Sequence, residues 1–468
     1  MGKISDYIDF SQDTSTIISS LKGKTVSVPD WSNLRKDYYP SEHAILKDTI
    51  NLRDKIRDDG SIEKSSRLSF GMERLQVRRM SEFMFSIPVK RIYSNVENNR
   101  VRQDIANAIE SIYKHSKIST HNLFRSKDFF ACCEIFTLWY VVKSPNNLYG
   151  FPCEYKLKCK TYSPINDTSL YPKFDEYGDM IAMSIEYSIK KSDSKTITYF
   201  ETYTADTHYK WSNESGDWVS VNAPEEIIIL KIPGIYLSRS EALYGDVSEI
   251  RKEIEYTLSR NSNVISYNSA PVLKVVGEII GNERKNDDYR LFRMAPGGDV
   301  AYVSWNQSVQ AVINHIEQMK EMFWSLSQLP DISFSNMQKL GNIGYDARET
   351  LLTDAHLKVG DESGPWIEFF ERETNVIKAF LKLIKTEWAN EIDNVEVEHV
   401  ITPFIQRNES AEITKRMTAN GGKPIESQRE SIQRFGKSTD PDDTLRQIRE
   451  EEAASAIASV SDIFGSAK

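Results

Sequence analysis

Residues 308–328 carry a regular apolar stripe, the feature of this sequence that most restricts its fold. An apolar side chain recurs there at alternating spacings of three and four residues through five intervals. The residues of this stripe are Val309, Val312, Ile316, Met319, Phe323 and Leu326. This is the a/d pattern of a helix that packs along one face against another helix. We therefore predict a long helix with one apolar and one polar face, ending before Pro330.

A second long helix is predicted upstream, over residues 240–268. Its apolar residues recur at spacings of 3, 4, 4 and 7, at Val247, Ile250, Ile254, Leu258 and Ile265. At ~1.5 Å per residue this helix is a rod of roughly 40 Å. Short strands are predicted between the two helices, at 271–276, 288–294 and 300–304. The order is thus helix, small β module, helix.

The rest of the chain divides into segments with different patterns of apolar and polar residues. Residues 1–40 are polar and predict an irregular arm. Residues 141–237 alternate apolar and polar side chains in short runs, which predicts antiparallel strands. A loop with glycines and asparagines covers 332–344, and a short strand is predicted at 395–402. The other predicted helices span 41–57, 68–85, 101–115, 120–140, 345–359, 366–388, 410–434 and 440–458, with a break at 360–365.

Composition limits the classes of function. The chain has 468 residues, 40% of them apolar, which predicts roughly two to four domains of ~100–200 residues each. Its net charge of -9 lacks the basic excess of a protein that grips DNA phosphates tightly. Any contact with DNA is therefore expected to be transient or confined to a small basic element. We find neither the apolar core of a signal peptide nor the ~20 apolar residues that a membrane helix needs.

No motif predicts an enzyme. Gly436-Lys437-Ser438 resembles the end of a phosphate-binding loop, but Ser431 stands where that pattern needs a glycine, so a turn between helices is favoured. Residues 341–344 precede a helix and offer an anion site as the alternative to a plain loop, which is favoured. The seven histidines lack metal-ligand spacing. The four cysteines are expected to be reduced thiols, at Cys132, Cys133, Cys153 and Cys159. We predict no catalytic site, no metal and no cofactor.

The order of elements leaves two interpretations open. In the first, the two long helices form a hairpin inside one domain core and the β module is an insertion. In the second, the helices form a stalk that stands beside copies of itself in a ring, with the β module at one end. Each helix has the apolar stripe and the polar face that either arrangement requires.

Three segments, read in this order, resemble the phage portal family, in particular its SPP-type siphophage branch. Residues 74–93 look like the family's wing helix with its apolar–small–proline turn, and residues 270–277 look like the start of its clip. Leu329-Pro330-Asp331-Ile332, followed by residues 341–347, is similar to the segment after the second stem helix. There Ile343 stands in place of the usual serine, and Arg348-Glu349 replaces leucine-lysine. The resemblance covers about residues 40–450.

The resemblance implies an α+β fold of portal architecture, with a helical and β wing, a two-helix stem, a small β clip and a helical crown. By position the parts are an arm at 1–40, the wing at 41–239 and 345–403, the stem at 240–269 and 306–328, the clip at 270–305, the tunnel loop at 329–344, and the crown and tail at 404–468. The family forms a twelve-subunit ring at one capsid vertex, through which double-stranded DNA enters and leaves. The implied partners are the terminase, a head–tail adaptor, and the major capsid and scaffolding proteins, with no membrane. The implied location is the virion, after assembly in the host bacterial cytoplasm.

Site residues follow from the same resemblance. On the second stem helix the channel candidates are Gln310, Asn314, Glu317 and Glu321. On the tunnel loop they are Asn336, Gln338, Lys339 and Asn342. Subunit and stem packing is assigned to the ten stripe residues Val247, Ile250, Ile254, Leu258, Val309, Val312, Ile316, Met319, Phe323 and Leu326. An acidic wall repels phosphates and keeps DNA from sticking as it moves.

Three other classes of protein are weighed against a portal. A capsid or collar component of a phage would lack the order helix, β module, helix, loop, helix over 240–359. An enzyme would need a pocket with converging polar groups, which this sequence does not reveal. A soluble host protein with a helical hairpin is the third alternative.

Overall fold

A computed structural model describes most of the chain. The described ranges are 4–97, 99–190, 196–268, 272–277, 279–284, 290–303, 309–333, 352–404, 427–435 and 440–465, with single residues at 350, 414 and 418. The chain divides into two compact units, one of residues 1–341 and 351–404, the other of residues 342–350 and 405–468. Helix and strand are mixed in the described part, so the fold is of the predicted α+β class.

The α-helices agree in part with the predicted ones. Their bounds are α1 Thr14–Lys22, α2 Trp31–Tyr38, α3 Met72–Phe85, α4 Arg100–His115, α5 Ile118–Cys132, α6 Ser248–Asn268, α7 Val309–Ser327, α8 Thr353–Ile384, α9 Gln428–Phe435 and α10 Pro441–Gly465. The long helices α6 and α7 confirm the two apolar periodicities. In the second unit, Arg429 on α9 pairs with Asp442 on α10 at 2.6 Å.

The strands pair antiparallel throughout the described part. Their bounds are β1 Lys55–Ile56, β2 Ile62–Glu63, β3 Lys90–Ser94, β4 Glu134–Asn146, β5 Cys153–Tyr162, β6 Thr168–Phe174, β7 Met180–Lys190, β8 Thr196–Thr204, β9 Thr207–Ser212, β10 Val219–Ser220, β11 Glu225–Glu226, β12 Gly234–Ser238, β13 Val272–Val276, β14 Ile279–Arg284, β15 Arg290–Met294, β16 Asp299–Val303 and β17 Glu396–Val400. One sheet has the order β10-β9-β8-β7-β6 with β11 on β9, and another has the order β12-β4-β5. The antiparallel strands predicted over 141–237 are confirmed.

The N-terminal segment is not irregular, and that prediction is wrong. Asp13 and Asp30 cap α1 and α2 by accepting the N–H groups of Ser15 and Ser32. The apolar side of α1 then packs on the larger sheet. The buried residues of this small core include Ile17, Ile18, Leu21, Ile181, Phe200 and Trp211. The largely polar composition of residues 1–40 concealed this short amphipathic stripe.

The predicted helix at 41–57 is also wrong. Two short 3-10 turns, Pro40–Glu42 and Ala44–Lys47, replace it, and the β1–β2 hairpin follows. After the second of these 3-10 turns the chain turns again at Asp48, because the Asp48 carboxylate accepts the N–H groups of Ile50 and Asn51. A side chain that satisfies nearby backbone donors in this way competes with helix formation.

The predicted helix at 120–140 ends early, at Cys132. Cys133 adopts a left-handed φ of 66°, and the chain then continues as β4. All six residues from Glu134 to Trp139 are buried, so this stretch shows no alternation between faces. A continuous apolar run does not distinguish a helix from a strand. The main core forms here, as α3, α5 and α8 pack around the β12-β4-β5 sheet.

The break predicted at 360–365 is absent, because α8 runs through Pro365. A proline inside a helix removes one backbone hydrogen bond and favours a kink. Here Trp366, Phe369 and Phe370 are buried directly after it. Their tertiary packing outweighs the local preference of the proline.

The β module between α6 and α7 contains one strand more than predicted. The ladders join β13 to β16 and β14 to β15. The strand that was not predicted is β14, which follows Gly277 at a left-handed φ of 99°. Its sequence, Ile-Ile-Gly-Asn-Glu-Arg, lacks the alternation of a half-buried strand.

Gly234 is required by close packing between β12 and β4. A Cβ atom at this position would lie 2.3 Å from Cζ of Phe136 and 2.9 Å from the carbonyl oxygen of Thr137. We expect Gly234→Ala to lower the free energy of unfolding by about 1–3 kcal/mol, as overpacked sites do. Guanidinium unfolding monitored by tryptophan fluorescence measures this loss.

The matched control is Gly360→Ala. Gly360 lies inside α8, and a Cβ atom at this position would have no neighbour within 4 Å among the described residues outside its own helix turn. Alanine there is expected to raise the free energy of unfolding by up to about 1 kcal/mol, because glycine is the weaker helix former. A loss of stability at Gly360, or none at Gly234, would contradict the packing argument.

Candidate functional site in the two long helices

The apolar stripes of α6 and α7 are only partly covered within the chain. The two helices contact each other, and Val247, Ile254 and Phe323 are buried. The half-buried stripe residues are Ile250, Leu258, Val312, Ile316 and Met319. Leu326 remains 52% exposed. The side chain of Val309 lies outside the described part of the structure. The chain thus leaves apolar surface exposed along its long helices.

The polar face of α7 lies on the opposite side. Gln310, Asn314, Glu317 and Glu321 are all exposed. At about 100° per residue, these four positions share an arc of roughly 60° that faces away from the apolar stripe. Gln310 Nε2 donates to Asn314 Oδ1 at 2.8 Å. The structure therefore brings these four predicted channel residues onto one face, which carries two carboxylates.

The predicted loop residues cannot be placed in the same way. Asn336, Gln338, Lys339 and Asn342 lie outside the described residues. The glycine and asparagine stretch 341–344 and the tripeptide 436–438 lie outside them as well.

A buried arginine fixes the base of α6. Arg251 Nε lies 2.6 Å from Glu73 Oε1 on α3, and its two NH groups lie 2.7 Å from Glu255 Oε2 and from Asp37 Oδ1 on α2. The side chains of Arg251, Glu73 and Glu255 are at most 2% exposed. We call Arg251, its three carboxylate partners and His43 the Arg251 network. It joins three helices at the point where the first long helix begins.

His43 completes the Arg251 network. Its Nδ1 lies 2.7 Å from Glu255 Oε1, and its Nε2 lies 3.0 Å from the carbonyl oxygen of Asp37. Burial disfavours the charged form of Glu255, but hydrogen bonds from His43, the Phe70 N–H and Arg251 hold its pKa below the ordinary value. Burial raises the pKa of Glu73, although Arg251 opposes that shift. The positive charge of Arg251 therefore balances the negative charges of the carboxylates in this network.

The Arg251 network was not predicted from the sequence. Its five residues come from three separated parts of the chain, 37–43, 73 and 251–255, so no local motif contains all of them. One local signal was present. Arg251 and Glu255 are four residues apart on α6, and both adjoin the apolar stripe of that helix rather than its opposite face. A charged pair beside a buried stripe indicates a buried ionic contact.

The described residues offer little chemistry beyond packing and charge. No group of three or more His, Cys, Asp or Glu side chains among them could hold a metal ion. The four cysteines are free, and burial raises the pKa of Cys133 and of Cys159 to about 12, so both thiols are protonated near neutral pH. No helix in the described ranges is long and apolar enough to cross a membrane.

Comparison with known proteins finds similar solved structures and a matching family model. Among solved structures, one similar chain comes from the neck of an empty gene transfer agent (GTA) particle, computed with C6 symmetry. The two sequences are 8% identical, the alignment covers 78% of this chain and 88% of that chain, and the TM-score is 0.37. The virion of a native GTA particle is 9% identical and covers 91% of this chain and 99% of that chain at a TM-score of 0.35. No curated protein matches. The family model described as phage portal protein, SPP1 Gp6-like, matches residues 32–457, and the chain therefore belongs to this family of portal proteins.

Proposed function

We propose that this portal protein assembles into a ring whose central channel passes double-stranded DNA into and out of a capsid at one vertex. The observation that carries the proposal is the division of α7 into two faces. In a ring, each long helix must pack against neighbouring helices and also border a water-filled channel. The half-buried apolar stripe of α7 meets the first requirement. Its exposed face, with Glu317 and Glu321, meets the second.

The parts of the ring follow the chain order of the family. We assign the stem to α6 and α7, the clip to β13–β16 and the tunnel loop to residues 329–344. The wing comprises residues 41–239 and 345–403, and the crown and tail comprise residues 404–468. Twelve subunits form the ring, the terminase and a head–tail adaptor dock on it, and the major capsid and scaffolding proteins surround it. The channel does not need a catalytic group, since the protein guides DNA and does not cleave it.

Negative-stain electron microscopy of the purified full-length protein tests this proposal. At low and moderate salt we expect rings with a central hole. A monomer or dimer under every condition would overturn the proposal. Reconstruction of the rings would also give the number of subunits.

The acidic face of α7 gives a prediction for purified rings. We expect E317K/E321K rings to bind linear double-stranded DNA at least tenfold more tightly than the original rings in low salt, because lysines replace two carboxylates per subunit. The gain should shrink as salt rises, since phosphate contacts release counterions. Fluorescence anisotropy of labelled DNA at several salt concentrations measures both effects.

The control is A311K/Q318K, which adds positive charge at two exposed α7 positions on the flank between the acidic face and the apolar stripe. We expect a smaller gain in affinity from these lysines. Equal affinity for E317K/E321K and the original rings would mean that Glu317 and Glu321 do not border the path of DNA.

A further inference from the structure

The β1–β2 hairpin presents two exposed isoleucines. Ile56 is 79% exposed and Ile62 is 64% exposed. They are direct cross-strand partners, so both side chains lie on the same face of the hairpin. A two-stranded hairpin is marginally stable in water unless its apolar face packs on something. We propose that this face is a subunit clasp, which packs on the neighbouring copy of the chain in the ring. This inference rests on the proposed ring.

The base of the hairpin is firmly held. Arg67 donates to the carbonyl oxygens of Asp48 at 3.1 Å and Leu52 at 2.6 Å, and to the carboxylate of Asp54 at 2.8 Å. The Ser65 N–H donates to the same carboxylate at 2.9 Å. Leu52 is buried beneath these contacts. The two segments that flank the hairpin are therefore held in position before any partner binds, which reduces the entropy that binding costs.

The hairpin lies beside α6, the first helix of the proposed stem. Directly after β2, the Ser66 N–H donates to Asn263 Oδ1 at 2.6 Å, and the Leu68 N–H donates to Ser259 Oγ at 2.8 Å. Both acceptors belong to α6, so this long helix carries the hairpin on its side. Ile265, less than one turn beyond Asn263, is itself 56% exposed. In a ring of side-by-side stems, we expect the side of α6 that carries the hairpin to face the adjacent subunit.

A second copy of the chain suits the hairpin for a geometric reason. In the proposed ring, the two surfaces that meet at each interface are different, so the hairpin of one subunit contacts a surface of its neighbour other than that neighbour's own hairpin. Contacts of that kind are heterologous, and they close into rings when the rotation between subunits allows. The exposed apolar side chains of Ile313 and Met322 on α7 show that the same stem leaves further apolar surface for a neighbour.

The test is ring formation by full-length I56S/I62S. Because both side chains are exposed in one subunit, we expect the thermal midpoint of the dissociated subunit to remain within about 2 °C of the original. We expect half-maximal ring formation, measured by mass photometry over a dilution series, to need at least a tenfold higher protein concentration. The control is I189S/V219S, which changes two exposed strand residues of the larger sheet (48% and 52% exposed) and should leave ring formation unchanged.

A photo-crosslinking amino acid at position 56 identifies the partner directly. We expect illuminated rings to yield covalent dimers of the chain, and dissociated subunits to yield none.

The outcomes of the ring-formation test separate the clasp from the ring. If the original protein forms rings and I56S/I62S forms them at the same concentration, the proposed clasp is wrong but the proposed ring is not. If the original protein forms no rings, the proposed function fails and the clasp fails with it. An equal loss in I189S/V219S would also overturn the assignment to the hairpin.

Discussion

Replacement of Arg251 by methionine is expected to lower the free energy of unfolding by about 3–5 kcal/mol, the cost of breaking a buried ion pair from one side. The substitution leaves the carboxylates of Glu73 and Glu255 fully buried without the guanidinium that lies 2.6 and 2.7 Å from them. Methionine retains much of the arginine's apolar volume, so an unpaired charge, rather than a cavity, causes the loss. Guanidinium unfolding of the purified protein, monitored by tryptophan fluorescence, measures this loss.

Arg372→Met is the matched control for this prediction. Arg372 also pairs with a glutamate four residues away on its own helix, Glu368, but the two side chains are 54% and 62% exposed. Solvated pairs of this kind contribute about 0.3–0.5 kcal/mol, so the loss should be small. In addition, Glu73→Leu combined with Arg251→Met should be less destabilised than the sum of the two single variants, since the pair is removed together. Equal losses at Arg251 and Arg372 would contradict the role of burial.

Replacement of Glu373 by leucine is expected to have a similarly large effect, about 3–5 kcal/mol. Glu373 lies on α8, and its two carboxylate oxygens accept from the NH groups of Arg125 on α5 at 2.7 and 3.0 Å. The indole N–H of Trp139 on β4 donates to the same carboxylate at 3.0 Å. Leucine would leave a guanidinium that is only 1% exposed without its carboxylate. The cost should appear as a lower unfolding midpoint in guanidinium.

Glu368→Leu provides the control on the same helix, because that side chain is 62% exposed and its loss should cost less than about 1 kcal/mol. The loss of unfolding free energy for Glu373→Gln should fall between the losses for Glu373→Leu and Glu368→Leu, since glutamine keeps the shape and one acceptor oxygen but removes the charge. A double-mutant cycle with Arg125→Met separates the pair energy from the effect on Trp139. A coupling energy near zero would be the result that rejects the pair as a stabilising contact.

Apolar periodicity predicted the long helices well. The helix expected at 308–328 corresponds to α7, Val309–Ser327, and the helix expected at 240–268 corresponds to α6, Ser248–Asn268, which begins eight residues later than predicted. Each has one apolar, partly buried face and one polar, solvated face, and this contrast produces the apolar period of 3.6 residues. The resemblance to portal proteins, carried by short segments around these helices, is confirmed by the family match over residues 32–457.

Periodicity failed where both faces of an element are buried or where side chains satisfy the backbone. The run from Glu134 to Trp139 was predicted as helix but forms β4, because every residue in it is buried. The stretch after Pro40 was predicted as helix but forms turns, because Asp48 accepts backbone N–H groups. The break predicted at Pro365 did not form, because aromatic packing holds α8 together.

The sequence by itself determined the α+β class, the two long helices with their opposed faces and the family. These properties depend on patterns within a few turns of helix or a few residues of strand. Only the tertiary structure decided the Arg251 network, the Arg125–Glu373 pair and the position of the β1–β2 hairpin on α6. Each of these joins residues that are far apart in the chain, and its strength depends on the removal of water from charged or polar groups by the surrounding core. That removal is a property of the packed molecule, and no local pattern records it.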